Sequence, residues 1–195
     1  MPTATISPAS SPRWGSSTFN HTGGFKVGTT TDGVQYYGHI PFPALDPTWH
    51  ITSIKLRLNR TDSYSSRTHR YGVNTSSSWS NRNSLHWSRT QQIASGTGYK
   101  TVDLSDGLAT IKAYTGTWHV HVAHGAGSYS YMEFTNTPQL VVEYEIATID
   151  VPALTCGEAA TLSVMTPPVA GTYLLSYSIG SASGVIDSVP ADDTT

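Results

Sequence analysis

Strict alternation of apolar and polar residues marks three separate stretches of this chain. In the first, Ile54, Leu56 and Leu58 alternate with polar residues. Successive side chains of a β-strand point to opposite faces, so this pattern predicts a strand with one buried and one wet face. Thr101–Leu104 and Pro138–Glu145 repeat the pattern. Three one-faced strands far apart in the sequence need a common core, which predicts a sandwich of antiparallel sheets.

Shorter runs predict further strands. Phe25–Gly28 and Val34–Ile40 flank a Thr-Thr-Thr-Asp-Gly turn that ends at Gly33, and Thr68–Val73 follows a polar loop. Residues 1–24 are rich in Ser, Thr, Pro and Gly, which predicts an irregular lead-in with room for one edge strand. The predicted fold class is therefore all-β, a jelly-roll-like antiparallel sandwich.

One short helix is predicted between two of these strands. Leu104, Leu108 and Ile111 have the spacing of one helical face. Its predicted boundaries are Ser105 or Asp106 as the N-cap and Gly116 as the stop.

Trp118–Ala123 and Tyr129–Phe134 predict a hairpin around the loop His124–Ser128. In this register Val120 lies opposite Met132, facing the core. The outer face then carries His119, His121, Tyr129, Tyr131 and Glu133. We predict that these five residues form a ligand or subunit contact, because phenol rings stack on sugars and are enriched at protein interfaces. A flat patch favours the subunit contact, with a glycan site as the alternative.

Metal binding is a second reading of the same stretch. On a strand His119 and His121 share a face, and His124 could join them from the loop as a third ligand. The alternative is a polar strand face without metal, which we favour. No metal or other cofactor is predicted.

Trp79 and Trp87 enclose a polar loop. Large aromatic residues at the base of a loop usually plug the end of a sandwich, so packing is expected for this pair ahead of ligand contact.

Composition argues against several functions. Only 12% of the residues are charged, the formal net charge is −2, and no run of Lys or Arg is present, so nucleic acid is not an expected partner. The chain has one cysteine and therefore no intrachain disulfide. It lacks a nucleophile elbow, a phosphate-binding glycine loop and a cysteine-pair zinc motif. We predict that the protein is not an enzyme.

The composition is that of an exposed extracellular β-protein, yet the sequence shows neither a signal peptide nor a membrane-spanning apolar run. A virion protein resolves this conflict, because it is assembled in the cytoplasm and becomes extracellular after release by lysis. A secreted protein whose signal segment is missing from this sequence, or an ordinary cytosolic protein, would also fit.

Residues 25–146 resemble the DNRLRE-type module, a jelly-roll-like sandwich related to carbohydrate-binding modules. The matching segments, in order, are Val34–Pro41, Ile51–Leu58, Ser77–Trp79 with His86-Trp87, Thr101–Leu104 before the helix, and Pro138–Tyr144. The resemblance implies a glycan-contacting module of secreted or cell-surface proteins.

Residues 148–195 are predicted to form an incomplete immunoglobulin-like domain. The stretches Ala160–Val164 and Tyr173–Ile186 resemble repeats in minor structural proteins of phages of Gram-positive bacteria. This resemblance implies a non-enzymatic structural protein of a phage or phage-like virion, in a fibre, a tail or the capsid decoration. Its expected partners are other virion subunits, including copies of itself, and host-surface polysaccharide. The alternative function is a carbohydrate-binding module of a secreted bacterial cell-surface protein.

Overall fold

The computed structural model describes residues 1–124 and 129–145, with His124 described by its backbone alone. Within these residues the chain forms twelve strands and one short α-helix. They are β1 (Thr3–Ile6), β2 (Arg13–Gly15), β3 (His21–Thr22), β4 (Phe25–Thr29), β5 (Gln35–Phe42), β6 (His50–Arg60), β7 (Arg67–Asn74), β8 (Trp87–Ile93), β9 (Gly98–Asp103), α1 (Leu108–Lys112), β10 (Trp118–His124), β11 (Met132–Phe134) and β12 (Gln139–Glu145). Every strand pairing is antiparallel, which confirms the predicted all-β class.

The first sheet is built around β6, the strand predicted from the strictest alternation. One edge of β6 pairs with β9, and the other pairs with β12 and then with β11. β1 extends the sheet beyond β12, and β4 extends it beyond β11. The three stretches recognised by their alternation are thus direct neighbours.

The second sheet has the order β3–β2–β5–β10–β7–β8. β4 and β5 also pair with each other over two residues, Gly28 with Tyr36 and Thr29 with Gln35. This short pairing joins the two sheets at one corner of the sandwich.

The core lies between the sheets and is continuous. The first sheet contributes Ile54, Leu56, Leu58, Val102, Phe134, Leu140 and Val142, and the second contributes Ile40, Phe42, Tyr71, Val73, Trp118, Val120 and Val122. All of these side chains are at most 1% exposed. The alternation predicted for Trp118, Val120 and Val122 is therefore confirmed.

A β-bulge explains an irregular step in the apolar pattern of β6. Ile51 and Ile54 are both buried although three positions separate them, which plain alternation forbids. The register against β12 shifts so that Glu143 pairs with Ser53 while Tyr144 pairs with Ile51. The extra residue, Thr52, returns Ile51 to the core face.

The first 24 residues are more regular than predicted. β1 forms an edge of the first sheet, and β2 and β3 extend the second, so the expectation of an irregular lead-in with one strand was wrong. Their polar composition hid them, because edge strands bury few side chains and need no clear alternation.

The helix is confirmed, but its predicted boundaries were wrong. A 3-10 turn, Ser105–Gly107, precedes α1, whose N-cap is Gly107, and the helix ends before Ala113 rather than at Gly116. Asp103 accepts a hydrogen bond from the backbone N–H of Ser105, which fixes the entry to the turn. No helix in the described part of the chain is long and apolar enough to cross a membrane.

The predicted hairpin of Trp118–Ala123 with Tyr129–Phe134 was wrong. β10 pairs with β5 and β7 in the second sheet, whereas β11 pairs with β4 and β6 in the first. Val120 lies opposite Ile40, and Met132 lies opposite Val27. Closeness in sequence suggested local pairing, but each strand has more extensive partners elsewhere.

The chain divides into two units, Met1–Ile146 and Ala147–Thr195. The predicted immunoglobulin-like domain, 148–195, lies outside the described residues.

The central position of β6 generates a stability prediction. Leu56 is fully buried, so Leu56→Ala should lower the free energy of unfolding by about 2–5 kcal/mol, measured by denaturant melts. The matched control is the neighbouring Arg57→Ala, which removes a half-buried side chain whose guanidinium lies 3.8 Å from the ring centroid of Tyr99. It should cost about 1 kcal/mol or less. Equal losses would contradict the assigned faces of β6.

Candidate functional site

Five aromatic rings form a row along the side of the sandwich where β4 and β5 pass between the sheets. This aromatic row consists, in order, of Trp14, Tyr36, Tyr131, Tyr64 and Tyr129. Neighbouring ring centroids are 5.4, 6.0, 6.5 and 5.9 Å apart, and the rings meet edge to face. Tyr64 is 46% exposed, and the other four are half-buried. The row presents amphipathic rings to solvent on a fixed scaffold.

An ion pair lies at the middle of the aromatic row. Lys26 Nζ is 3.1 Å from Glu133 Oε1, and it also lies 5.9 Å from the ring centroid of Tyr131. The Tyr131 hydroxyl donates to the same oxygen at 2.5 Å. Burial and this hydrogen bond raise the pKa of Tyr131, which keeps the hydroxyl protonated as the donor. Within the described residues Glu133 Oε2 accepts no hydrogen bond, so it remains available to a ligand.

An open depression of about 460 Å³ adjoins this ion pair. It is lined by Gly24, Lys26, Thr61, Glu133, Phe134, Thr135 and Asn136. Hydroxyl, amide, ammonium and carboxylate groups therefore border a concave surface next to the aromatic row.

The corner between the sheets positions Tyr131. The backbone N–H groups of Ser130 and Tyr131 both donate to the carbonyl oxygen of Thr29, at 2.9 and 3.1 Å. Gly28 has φ 101°, and a Cβ there would lie 2.1 Å from the carbonyl oxygen of Ser130. Only glycine permits this close approach, so Gly28 lets the segment before β11 dock on the corner.

A buried ion pair positions Tyr64 and Glu133. Arg60 and Asp62 have side chains 0% and 6% exposed, and Arg60 also donates to the carbonyl oxygens of Tyr64 and Ala94, both at 2.8 Å. Asp62 accepts the backbone N–H groups of Tyr64, at 2.9 Å, and Glu133, at 2.8 Å. Burial raises the pKa of Asp62, but the hydrogen bond from Arg60, followed by those from the two backbone N–H groups, outweighs it and holds the pKa below its usual value. Both carboxylate oxygens of Asp62 thus hold backbone groups of the Tyr64 loop and β11 in place.

The structure brings together three of the five predicted contact residues. Tyr129, Tyr131 and Glu133 belong to the aromatic row or its ion pair. His119 and His121 do not, because they lie on the outer side of the second sheet and are 9% and 2% exposed. The prediction of one outward patch holding all five was therefore wrong, since it rested on the incorrect hairpin.

His119 and His121 instead form a histidine cluster with His39. Nε2 of His39 and Nδ1 of His119 are joined by a hydrogen bond of 2.8 Å, and Nε2 of His121 donates to the carbonyl oxygen of Ser76 at 3.1 Å. Phe19 covers the cluster, with its ring centroid 5.2 Å from that of His39. Trp79 and Tyr37 complete the cover.

The cluster is built to be uncharged. Burial, followed by the charges of His121, His119 and Arg13, lowers the pKa of His39 to about 3. Burial lowers the pKa of His121 to about 4 and also lowers that of His119. The hydrogen bond between His39 and His119 itself requires one ring nitrogen without a proton.

Metal binding by His119, His121 and His124 gains no support from this arrangement. Across residues 1–124 and 129–145 no group of three His, Cys, Asp or Glu side chains is placed to hold a metal ion. The side chain of His124 lies outside the described residues.

The predicted packing of the two tryptophans agrees with their contacts. Trp79 packs against Phe19 and Tyr37, and Trp87 packs against the main core, where its ring lies against Gly107.

Sequence reasoning missed Trp14, Lys26, Tyr36 and Tyr64 as members of the site. Trp14 and Tyr64 lie in polar segments without periodicity, and only the tertiary fold brings them to Tyr131. An isolated large aromatic residue in a Ser-rich segment was the available signal.

No protein-family model and no curated protein sequence matches this chain. The resemblances to the DNRLRE-type module and to phage structural proteins therefore stay predictions.

The histidine cluster generates a prediction for pH. The unfolded-state pKa of histidine is about 6.5 and the folded values are lower, so the stabilising contribution is present above pH 6.5 and is lost as the pH falls. As the pH falls from 6.5 to 5 the free energy of unfolding should fall, with a slope that rises toward about 1.4 kcal/mol per pH unit for each such histidine. His121→Gln retains an N–H donor for Ser76 and should reduce this slope, measured by denaturant melts across the pH range.

The matched control for the pH experiment is His50→Gln, at a surface histidine outside the cluster whose side chain is 61% exposed. It should keep the wild-type slope. A slope unchanged by His121→Gln would show that the cluster does not govern the acid sensitivity.

Proposed function

We propose that this protein is a non-enzymatic structural module of a phage or phage-like particle, and that its aromatic row contacts a host-surface glycan. The observation that carries the glycan contact is the combination of one exposed and four half-buried rings, the Lys26–Glu133 ion pair and the adjoining depression. A sugar ring presents both C–H faces and hydroxyl groups, so it needs aromatic surface and hydrogen-bonding groups side by side.

The virion assignment rests on the sequence. It follows from the extracellular composition and the resemblance of 148–195 to repeats of phage structural proteins. The sandwich suits display, because its corner contacts and the Arg60–Asp62 pair hold the aromatic row on a fixed scaffold.

The second candidate is a carbohydrate-binding module of a secreted bacterial cell-surface protein. The same aromatic row favours it, and the two functions differ only in what carries the module. Imaging purified particles with an antibody against this chain separates them. Labelled particles support the virion assignment, whereas label confined to cell surfaces supports the secreted module.

A pair of tyrosine variants tests the glycan contact. Tyr64→Ala should weaken binding to host cell-wall glycan about ten-fold, equivalent to about 1.4 kcal/mol, because it removes the most exposed ring of the row. Tyr99→Ala is the matched control, since Tyr99 is 55% exposed but lies on β9, on the opposite edge of β6 from β11. Glu133→Gln should also weaken binding, by removing the charged acceptor. Affinities are measured by isothermal titration calorimetry.

Equal affinities for the wild type and all three variants, with the fold intact, would contradict the glycan contact. If Tyr64→Ala instead disrupts self-association of the chain while glycan binding is unchanged, the aromatic row is a subunit contact.

A further inference from the structure

A second surface, on the outer face of the second sheet, carries three arginines. Arg13 lies opposite His39 in the pairing of β2 with β5, and directly opposed residues share a face. Arg70 lies opposite Ala123 in the pairing of β7 with β10. His121 lies opposite His39, and Ala123 shares its face, so Arg13 and Arg70 project from the same side.

Arg82 reaches this face from the loop between β7 and β8. Its guanidinium carbon lies 4.3 Å from the ring centroid of Trp79 and 5.1 Å from that of Tyr37. Nη1 of Arg82 donates to the carbonyl oxygen of Trp79 at 3.1 Å. Stacking and this hydrogen bond fix the orientation of the guanidinium, and its other amino group makes no hydrogen bond with the residues that the structure describes. Arg13, Arg70 and Arg82 are called the arginine face below.

No carboxylate in the described part of the chain forms an ion pair with the arginine face. Each of the eight such carboxylates has its contact elsewhere: Asp32 with Thr30, Asp46 with Thr48, Asp62 with Arg60, Asp103 and Asp106 with Arg89, Glu133 with Lys26, Glu143 with Lys55, and Glu145 with His50. Arg13 and Arg70 make no hydrogen bond with any described residue. Within residues 1–124 and 129–145, therefore, no carboxylate compensates the positive charge of this face.

The positive and negative residues are distributed unevenly along the chain. All 11 Lys and Arg residues precede residue 113, whereas only eight of the 13 Asp and Glu residues lie in the described part. The sandwich thus has a positive excess of three charges, although the formal net charge of the whole chain is −2. The net negative charge of the whole chain would not have predicted a positive potential on this face.

The spacing of the arginines indicates an extended ligand. β2, β5, β10 and β7 are successive strands, so at about 4.8 Å per strand the backbones of Arg13 and Arg70 lie roughly 15 Å apart. Arg82 lies over Tyr37 on β5, the strand next to β2. A single small anion cannot reach all three, whereas a chain with regularly repeated anionic groups can.

We infer that the arginine face binds an anionic polysaccharide, one with a carboxylate or phosphate group on its repeating units. The planar guanidinium pairs with both groups through two parallel hydrogen bonds. The half-buried ring of Trp79, beside Arg82, offers aromatic surface for a sugar ring. The arginine face shares no residue with the aromatic row, so this binding does not depend on the glycan contact proposed above.

The test measures binding of the full 195-residue chain to four probes. Polygalacturonate supplies carboxylates, phosphomannan supplies phosphates, dextran is uncharged, and a single-stranded DNA oligonucleotide is a polyanion without the sugar chemistry proposed. Binding to at least one of the two anionic polysaccharides is expected, and it should weaken as salt rises through screening. Which of the two binds more tightly identifies the anionic group.

A triple variant, Arg13→Gln with Arg70→Gln and Arg82→Gln, should weaken that binding at least about ten-fold. The matched control removes the same charge elsewhere: Arg57→Gln with Lys100→Gln and Lys112→Gln should change affinity by no more than about two-fold. Thermal unfolding checks that both variants fold. If the triple variant is unstable, Arg70→Gln alone is measured. Arg70 makes no hydrogen bond with the described residues, so this single variant should fold. It should still weaken binding several-fold.

Four outcomes would overturn the inference. They are no binding to either anionic polysaccharide, binding to dextran as tight as to the anionic polysaccharides, equal losses of affinity in the two triple variants, and tighter binding to DNA than to either polysaccharide. Tyr64→Ala separates this site from the aromatic row: it should leave binding at the arginine face unchanged, whatever its effect on host-glycan binding.

Discussion

The placement of Tyr64 and Glu133 depends on one buried ion pair, between Arg60 and Asp62. Arg60 ends β6, the strand at the centre of the first sheet, and its guanidinium is enclosed by carbonyl oxygens of the loop that carries Tyr64. Asp62 in turn binds the backbone N–H groups of Tyr64 and Glu133. A buried pair is costly unless its remaining hydrogen-bonding groups are satisfied, and here the backbone satisfies them. The hydrogen bonds that offset the cost of burying this pair also attach the Tyr64 loop and β11 to the core strand.

The two sheets use their outer faces differently. Beyond the main core, the second sheet carries a smaller packed layer, in which Phe19 and Trp79 cover the histidine cluster. That layer also supports Arg82, so the arginine face lies on a packed surface rather than on a mobile polar one. The corner at Gly28 joins the sheets and holds the backbone of Tyr131 at the side of the sandwich. The aromatic row and the arginine face are thus two separate regions, whose positions follow from the sandwich itself.

Local alternation was enough to predict β6, β9 and β12 and the faces they bury, because one-sided burial imposes period two on these strands. It also identified Trp118, Val120 and Val122 as core residues, although it paired their strand with the wrong partner. Alternation fixes which face is buried but not which strand lies beside it. His119 and His121 show a second limit: a polar face can still be covered by distant side chains such as Phe19. Only Tyr129 and Tyr131 of the aromatic row were predicted as site residues, since Trp14 and Tyr64 join the row through long-range contacts that no local pattern encodes.

The most direct measurement of the central claim is a nuclear magnetic resonance titration of the isotope-labelled full chain with host cell-wall glycan. If the aromatic row holds the glycan, the backbone amide signals of Tyr64, Tyr131 and Glu133 should shift as ligand is added. Those of Tyr99, on the opposite edge of β6 from β11, should stay in place. Shifts centred on Tyr99, or no shifts at saturating glycan, would contradict the assignment of the row as the binding site.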